Sequence, residues 1–410
     1  MRILYFATHA AWPLTTGARL RDYHLARQLG SRCSVFFVGL QAPGDEPPQE
    51  PPASSHFKDN LTLTRGPAYT PLKLLRGLIG PSPITLLNYF DPAVATMLCR
   101  RIDELKIDAV QMESVHLMPY LPFIRATRRK PAVLIDWHNI ESELMYRYMA
   151  TTPSVPRKLF ARRTASLIER WEDLLLADCP IHTVCSDREM AKLGQRGPTA
   201  DIRVVPNGVD VEHFSDAALA ALVPVPVPPA AGPIVLFVGS MDYHANSDSV
   251  VRFARQIWPA VKKAQPDARF VVVGRNPPPR VRALASDDIT ITGTVEDVRP
   301  WYRSATVVVV PIHTGSGTRL KILEALAAGV PVVSTHLGAE GILVTDGSDV
   351  ILADDDKSLV QNLDRVIASP ELRQQLRERG RQLVRDLYDW SIPGKVLHQA
   401  HCRLLELARQ

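Results

Sequence analysis

The 410-residue chain is 46% hydrophobic and 22% charged, the balance of a globular protein with room for two domains of about 200 residues each. It has no run near the roughly 20 apolar residues of a membrane-spanning helix, and its opening, MRILYFATHAAW, reads as a strand, too short and poorly flanked for a signal peptide. The net charge of +5 sits in the first half, where residues 1–205 hold 26 Lys+Arg against 20 Asp+Glu, and no aromatic-basic interleaving accompanies it, which argues against a nucleic-acid partner.

Five scattered cysteines without metal-like spacing point to reduced thiols in a cytoplasmic protein, with Cys179 and Cys185 in the core. Strand and helix patterns alternate almost throughout, the pattern of parallel sheets covered by helices. Strand Arg2 to Ala7 leads through a loop with Pro13 and Gly17 into an amphipathic helix. After strand Ser34 to Val38, QAPGDEPPQEPPASS is too rich in proline and acid to pack and reads as a mobile loop. TPLKLLRGLIGPSP alternates leucines with Lys73 and Arg76, and fits either a membrane-interface helix or an ordinary helix over the core. Two basic clusters, Arg125, Arg128, Arg129, Lys130 and Arg157, Lys158, Arg162, Arg163, face anionic headgroups or an acidic acceptor, or form solvated helix faces. Strands Asp108 to Met112 and Ala132 to Ile135 each precede a histidine, His116 and His138. Ligands of open α/β sheets bind beyond such strand ends, and a satisfied core histidine is the alternative for each. Helix Arg157 to Ala177, strand Ile181 to Cys185, helix Asp187 to Leu193 and strand Ile202 to Val205 complete this half.

VVPNGVDVEHF, from Val204 to Phe214, turns at Pro206, Asn207 and Gly208, and the proline-rich Val223 to Pro233 reads as an unstructured connector to a second sheet that starts at Ile234. Strands Arg269 to Gly274 and Asp288 to Thr292 follow, then ATVVVV, a buried parallel strand, and PIHTGSGTRLKILEALAAGVPVVS. Gly315 and Gly317 allow a sharp turn. A helix over Thr318 to Ala328 would open with exposed amides and a positive dipole end beside Arg319 and Lys321, a setting for a diphosphate. Glu324 lies among Leu323, Ala325, Ala327 and Ala328, where a carboxylate is costly unless bonded, either to ligand hydroxyls or to Lys321 three residues away. ADDDK is an acidic solvated loop, and no P-loop, HExxH or Rossmann fingerprint occurs, so neither a metal nor a bound cofactor is expected. The tail, YDWSIPGKVLHQAHCRLLELA, breaks at Pro393 and Gly394 and then forms a helix.

Gly317, Leu320, Leu323, Glu324, Ala325, Ala327, Gly329, Pro331, Val332 and Val333 match GxxLxxLEAxAxGxPVV, and the segment resembles the nucleotide-sugar motif of the retaining family 4 glycosyltransferases. The resemblance implies an α/β protein of GT-B fold, with two Rossmann-like parallel-sheet domains facing one cleft. An acceptor domain over 1–205, a donor domain over 206–389 and a last helix, 390–410, crossing back to the first domain are expected. It implies donor contacts at Gly17, Gly239, Ser240, Gly274, Arg275, Gly315, Ser316, Gly317, Thr318 and Leu320, with the nucleobase near Gly293, Thr294 and Val295. Arg19 and His116 fall on the acceptor side, His138 on the transferred sugar, Glu324 on the ribose, and Arg319 and Lys321 on the diphosphate.

Three positions depart from the family pattern. Its first motif Glu is Ser316, and the Arg and Lys that grip the diphosphate in the loop after the second sheet's first strand are Ser240 and Asn246, which leaves Arg319 and Lys321 to meet that charge. GSMDY-HAN with GSGTRLKILEA resembles a bacterial exopolysaccharide branch. The expected activity is metal-independent, retaining transfer of a hexose from a UDP- or GDP-linked sugar to a saccharide, lipid-linked or free, in the cytoplasm, either free there or at the inner face of the cytoplasmic membrane. A non-catalytic nucleotide-sugar binder and a nucleotide-sugar epimerase of the same fold are the alternatives.

Overall fold

The computed structural model of the chain describes all residues except 46, 53, 54, 224–231 and 316, and all side chains of these except that of residue 151. Ser316 and most of the proline-rich connector therefore lie outside the described residues. The chain divides into two compact units, Met1–Pro206 with Trp390–Gln410, and Asn207–Asp389.

The first unit is built on a seven-stranded sheet of order β3-β2-β1-β4-β5-β6-β7, with β1 Arg2–Ala7, β2 Ser34–Gln41, β3 Phe57–Thr64, β4 Ala109–Glu113, β5 Ala132–Trp137, β6 Ile181–Val184 and β7 Asp201–Val204. All pairings are parallel. The sequence makes this a two-faced sheet. In β1, Leu4 and Phe6 enter one apolar core and Ile3, Tyr5 and Ala7 the other, all at 0% exposure, so helices cover both sides. Strand β3 was not anticipated: it follows the proline-rich loop as an edge strand, and its half-exposed FKDNLTLT lacks the continuous apolar run of its neighbours. The β4 strand runs one residue further than its apolar pattern suggests and ends on Glu113.

The second unit carries a six-stranded sheet, β10-β9-β8-β11-β12-β13, with β8 Ile234–Val238, β9 Arg269–Val273, β10 Ile289–Gly293, β11 Val307–Val310, β12 Val332–Ser334 and β13 Ile351–Leu352. It too is parallel throughout. The four valines of β11 alternate between two cores, Val308 and Val310 on one side, Val307 and Val309 on the other. In each sheet the chain starts in the middle and winds to one side before returning to the other, so strand order reverses between β1 and β4 and between β8 and β11. A crevice opens beyond the carboxyl ends of the strands at such a point. Each unit therefore has one place where a ligand site is expected on topology alone.

The tail corrects the sequence reading. Ser391–Leu407 is one unbroken helix that packs within the first unit, in contact with helix Gly17–Gly30 and β5. Pro393 causes no break because it stands in the first turn, where its missing N–H is not needed. Gly394 is a packing residue, since a Cβ there would come within 2.5 Å of Gln28 Cβ in the facing helix.

Candidate active site

At the β8/β11 reversal of the second unit, β8 leads into Gly239 and Ser240, and β11 is followed by residues 311–315 and, beyond position 316, 317–319. Gly315 and Gly317 have φ of +103° and +83°, conformations that only glycine adopts without strain. A Cβ on Gly315 would also meet the Tyr243 hydroxyl at 2.4 Å. The helix that follows spans Leu320–Ala328 and not Thr318–Ala328: Thr318 remains in the loop, and Arg319 takes the N-cap position with ψ of 89°. It closes at Gly329, left-handed with φ of +74°. The free helical amides therefore begin two residues later than the sequence pattern suggests.

Lys321 turns inward. Its Nζ donates to Asn246 Oδ1 at 2.8 Å and stands 4.0 Å above the Phe237 ring. A Cβ on Gly239 would lie 2.7 Å from that amine, so the glycine at the end of β8 makes room for it. Burial, reinforced by the charge of Arg319, holds the Lys321 ammonium well below the usual lysine range. An anion arriving here would restore the proton. Asn246 Nδ2 donates to the Ser240 carbonyl at 2.8 Å, and Arg275 Nε donates to Ser240 Oγ at 3.0 Å. Both positions that lack the family's cations are thus each contacted by a basic side chain from elsewhere in the chain, Asn246 by Lys321 and Ser240 by Arg275. Arg319 is 7% exposed and donates from Nη1 to the Gly317 carbonyl at 2.9 Å.

Glu324 and Lys321 do not pair. Tyr302 Oη donates to Glu324 Oε2 at 2.8 Å, and burial pushes the carboxyl up, opposed by that bond and by Lys321. Of the remaining donor candidates, Gly274 bonds through its amide to the Gly293 carbonyl at 3.2 Å, Gly293 has φ of +71°, Thr294 is exposed, and Val295 and Leu320 pack partly against the core.

At the β1/β4 reversal of the first unit lies a second cluster, most of which the sequence did not reveal. His138 follows β5 directly, and its Nε2 stands 2.8 Å from Glu113 Oε2 and 2.9 Å from Asp22 Oδ1. Asp22 also lies 3.1 Å from His9 Nε2, just past β1. Asp136 accepts two bonds from Arg21, both 2.8 Å, and one from Thr183 Oγ1 at 2.6 Å. Glu113 Oε1 accepts from Gln111 Nε2 at 2.7 Å, and Gln111 Oε1 lies 2.7 Å from His401 Nε2 in the last helix. Asp22, Glu113 and Asp136 are all 0% exposed.

Three buried carboxylates need compensating charge. Burial opposes the imidazolium of His138, but Asp22 and Glu113 outweigh it and raise its pKa well above the ordinary value. For Asp22 the same balance runs the other way: burial raises its pKa, and His138 and His9 pull it far below the carboxylate range. The single Nε2–H of His138 cannot serve two carboxylates fully. Glu113 is pushed well up by burial and by the charges of Asp22 and Asp136, opposed by its bond to His138. Ligand atoms of Asp22, Glu113 and His138 lie within 4.8 Å of one another, close enough for a cation.

His116 stands in a 3-10 turn, Val115–Tyr120, with its Nδ1 2.7 Å from Ser114 Oγ and its ring 5.0 Å from that of Tyr89. Burial lowers its pKa to about 4, so it is neutral. Gly17 opens helix Gly17–Gly30, capped by Thr16 Oγ1, which accepts from the Arg19 amide, while Arg19 Nη1 donates to the Pro13 carbonyl at 3.1 Å.

Glu141 begins the helix after His138, and burial together with Glu172 raises its carboxyl to about 7. In the unfolded chain the group ionises near 4.3, so between these values the folded state binds more protons and stability falls as pH rises. Glu141→Gln should therefore be more stable than the parent at pH 8, by on the order of 3 kcal/mol, with the gain gone at pH 4. Denaturant unfolding at the two pH values measures this.

Residues 17–213 match the family model described as Glycosyltransferase Family 4, and residues 232–369 match the one described as Glycosyl transferases group 1. Phosphatidyl-myo-inositol mannosyltransferase of Mycobacterium leprae is 28% identical over 261 residues, 62% of this chain and 65% of that protein. D-inositol 3-phosphate glycosyltransferase of Acidothermus cellulolyticus is 34% identical over 167 residues, 37% of each. The chain thus spans less than two thirds of the length of these curated relatives. Among solved structures, sucrose-phosphate synthase from Thermosynechococcus elongatus superposes with a TM-score of 0.75 at 19% identity, covering 99% of this chain and 100% of that one. Anabaena HepE in complex with UDP-glucose gives 0.68 at 12% identity, covering 98% and 99%.

Proposed function

We propose, for a chain that joins a glycosyltransferase family 4 domain to a group 1 glycosyltransferase domain in the GT-B fold class, the transfer of a sugar from a nucleoside diphosphate sugar to a hydroxyl of a lipid-linked saccharide. Retention of the anomeric configuration, no metal requirement, and a place in exopolysaccharide or related glycan synthesis belong to this reading. The observation that carries it is Lys321: a buried amine at the β8/β11 reversal, beside two left-handed glycines and a helix start. A diphosphate bound there would favour the protonated amine, and Arg319, Arg275 and the helical amides would share its negative charge. Leaving-group stabilisation of this kind does without a metal.

Glu324, held by Tyr302, would accept from the ribose hydroxyls. In the first unit, His138 is a donor made cationic by Asp22 and Glu113, suited to a sugar hydroxyl or to developing negative charge. The mannosyltransferase and inositol-phosphate relatives favour a polyol or saccharide hydroxyl as acceptor, and the UDP-glucose complex of HepE favours a nucleotide-linked hexose as donor. A screen of UDP- and GDP-linked sugars tests the reading. One nucleotide class should raise the unfolding temperature and be consumed only with acceptor present. Stabilisation without consumption would leave a binding protein, and turnover of donor alone would leave an epimerase.

A further inference from the structure

We propose that helix Pro71–Ile79 and the first turns of helix Val155–Asp178 form one surface that docks the first unit on an anionic lipid bilayer. Helix Pro71–Ile79 is turned inside out for a helix of a soluble domain. Its one buried residue is Gly77, while Leu72, Leu74, Leu75, Leu78 and Ile79 are 41–76% exposed. Of the 16 large hydrophobic residues exposed among the described residues, nine lie in 69–79 and 155–160, so the apolar surface is concentrated here and not scattered.

The two helices meet. Arg163 Nη2 donates to the Gly80 carbonyl, the cap of the short helix, at 2.7 Å. Arg163, Leu159 and Val155 follow one another at four-residue steps on one stripe of the long helix, so its exposed Leu159 and Val155 continue from the end of the leucine face.

Charge selects the occupant. Residues 60–90 and 152–168 contain no Asp or Glu. Arg76, Arg157, Lys158 and Arg162 are exposed and have no carboxylate partner among the described residues. The other basic cluster is largely paired: Arg125, Arg128 and Arg129 lie near Asp178, Asp103 and Asp108, which leaves Lys130 of that cluster without a carboxylate partner among the described residues. Unpaired cations interleaved with exposed leucines fit phospholipid headgroups over acyl chains. A protein partner would sooner meet a patch depleted of charge, and a nucleic acid one without the leucines. No helix among the described residues is long and apolar enough to cross a bilayer, so the contact is with its surface. The role of this docking, bringing the site to a lipid-linked acceptor, rests on the reading above; the surface itself does not.

Sedimentation of the full chain with vesicles tests it. Binding to mixed phosphatidylcholine and phosphatidylglycerol vesicles should exceed binding to pure phosphatidylcholine and weaken with salt. Arg76→Glu/Lys158→Glu/Arg162→Glu should lower the partition about 10²-fold, and Leu75→Ser/Ile79→Ser should also release the protein from vesicles, with unchanged circular dichroism. Equal binding to both vesicle types, or unaffected variants, would overturn the proposal, as would a dimer in light scattering that Leu75→Ser/Ile79→Ser dissolves without any vesicle binding. Transfer to a water-soluble saccharide should persist in the charge-reversed variant. A parent chain that transfers to such a saccharide but does not bind vesicles removes only the docking inference, whereas vesicle binding without use of any nucleotide sugar removes the transfer reading.

Discussion

Replacement of Lys321 by methionine is expected to lower sugar transfer about 10²–10³-fold while leaving the protein at least as stable as before. The two halves of this result have one cause. The amine is desolvated between Asn246 and Phe237, and burial has depressed its affinity for a proton, so in the ligand-free protein one hydrogen bond and one ring contact stand against the cost of burying it. Methionine conserves much of its volume and removes that penalty. Only a bound anion makes the amine worth its place, which is the trade between stability and activity found in binding sites. Steady-state kinetics and thermal unfolding on the same preparation measure both. Wild-type turnover, or a clear loss of stability, would assign Lys321 a structural role. Arg319→Ala should weaken transfer to a similar degree, and near-normal turnover there would detach Arg319 from the phosphate.

His138→Ala carries the second large effect, with the opposite sign in stability. Its side chain compensates two carboxylates at 0% exposure, so removal leaves buried charge unpaired and should destabilise the chain by about 3–5 kcal/mol. The pH dependence follows from the raised pKa of His138. Its stabilising contribution is complete below the ordinary histidine value of about 6.5 and fades as pH climbs through the higher folded value. The stability gap between parent and variant should therefore narrow in alkali. Adding Asp22→Asn should return much of the stability but not the turnover, and turnover should fall by more than nucleotide affinity. A double variant that regains both would show that the histidine only holds the fold together.

The second unit was far more legible in the sequence than the first. Its candidate donor motif is continuous: strand, glycine turn and helix lie within 305–334, and local chemistry dictates each part, down to the left-handed glycines and the αL cap at Gly329. What failed there was the start of the helix, because a loop stretched by two positive-φ glycines delays the first helical turn. The partners of Lys321 and Glu324 were equally hidden, since Asn246 and Tyr302 are 75 and 22 residues away.

The first unit's cluster is assembled from distant segments. Asp22, Glu113 and Asp136 look like ordinary members of a helix and two strand ends, and only the parallel order β1-β4-β5 brings them to one place. One signal was present: acidic residues closing otherwise apolar strands, as in AVQME and AVLIDW, are costly unless a partner waits beyond the strand end. The polar chain through Gln111 to His401 could not be read, because it joins residues 290 apart.

Diphosphate binding beside Lys321 is open to direct measurement. Titration calorimetry of the intact protein with a nucleoside, its monophosphate and its diphosphate isolates that contribution. Affinity should rise steeply only at the diphosphate, with proton uptake as Lys321 becomes charged, and Lys321→Met should abolish the step. Equal affinity along the series, or a diphosphate step that survives in Lys321→Met, would contradict it.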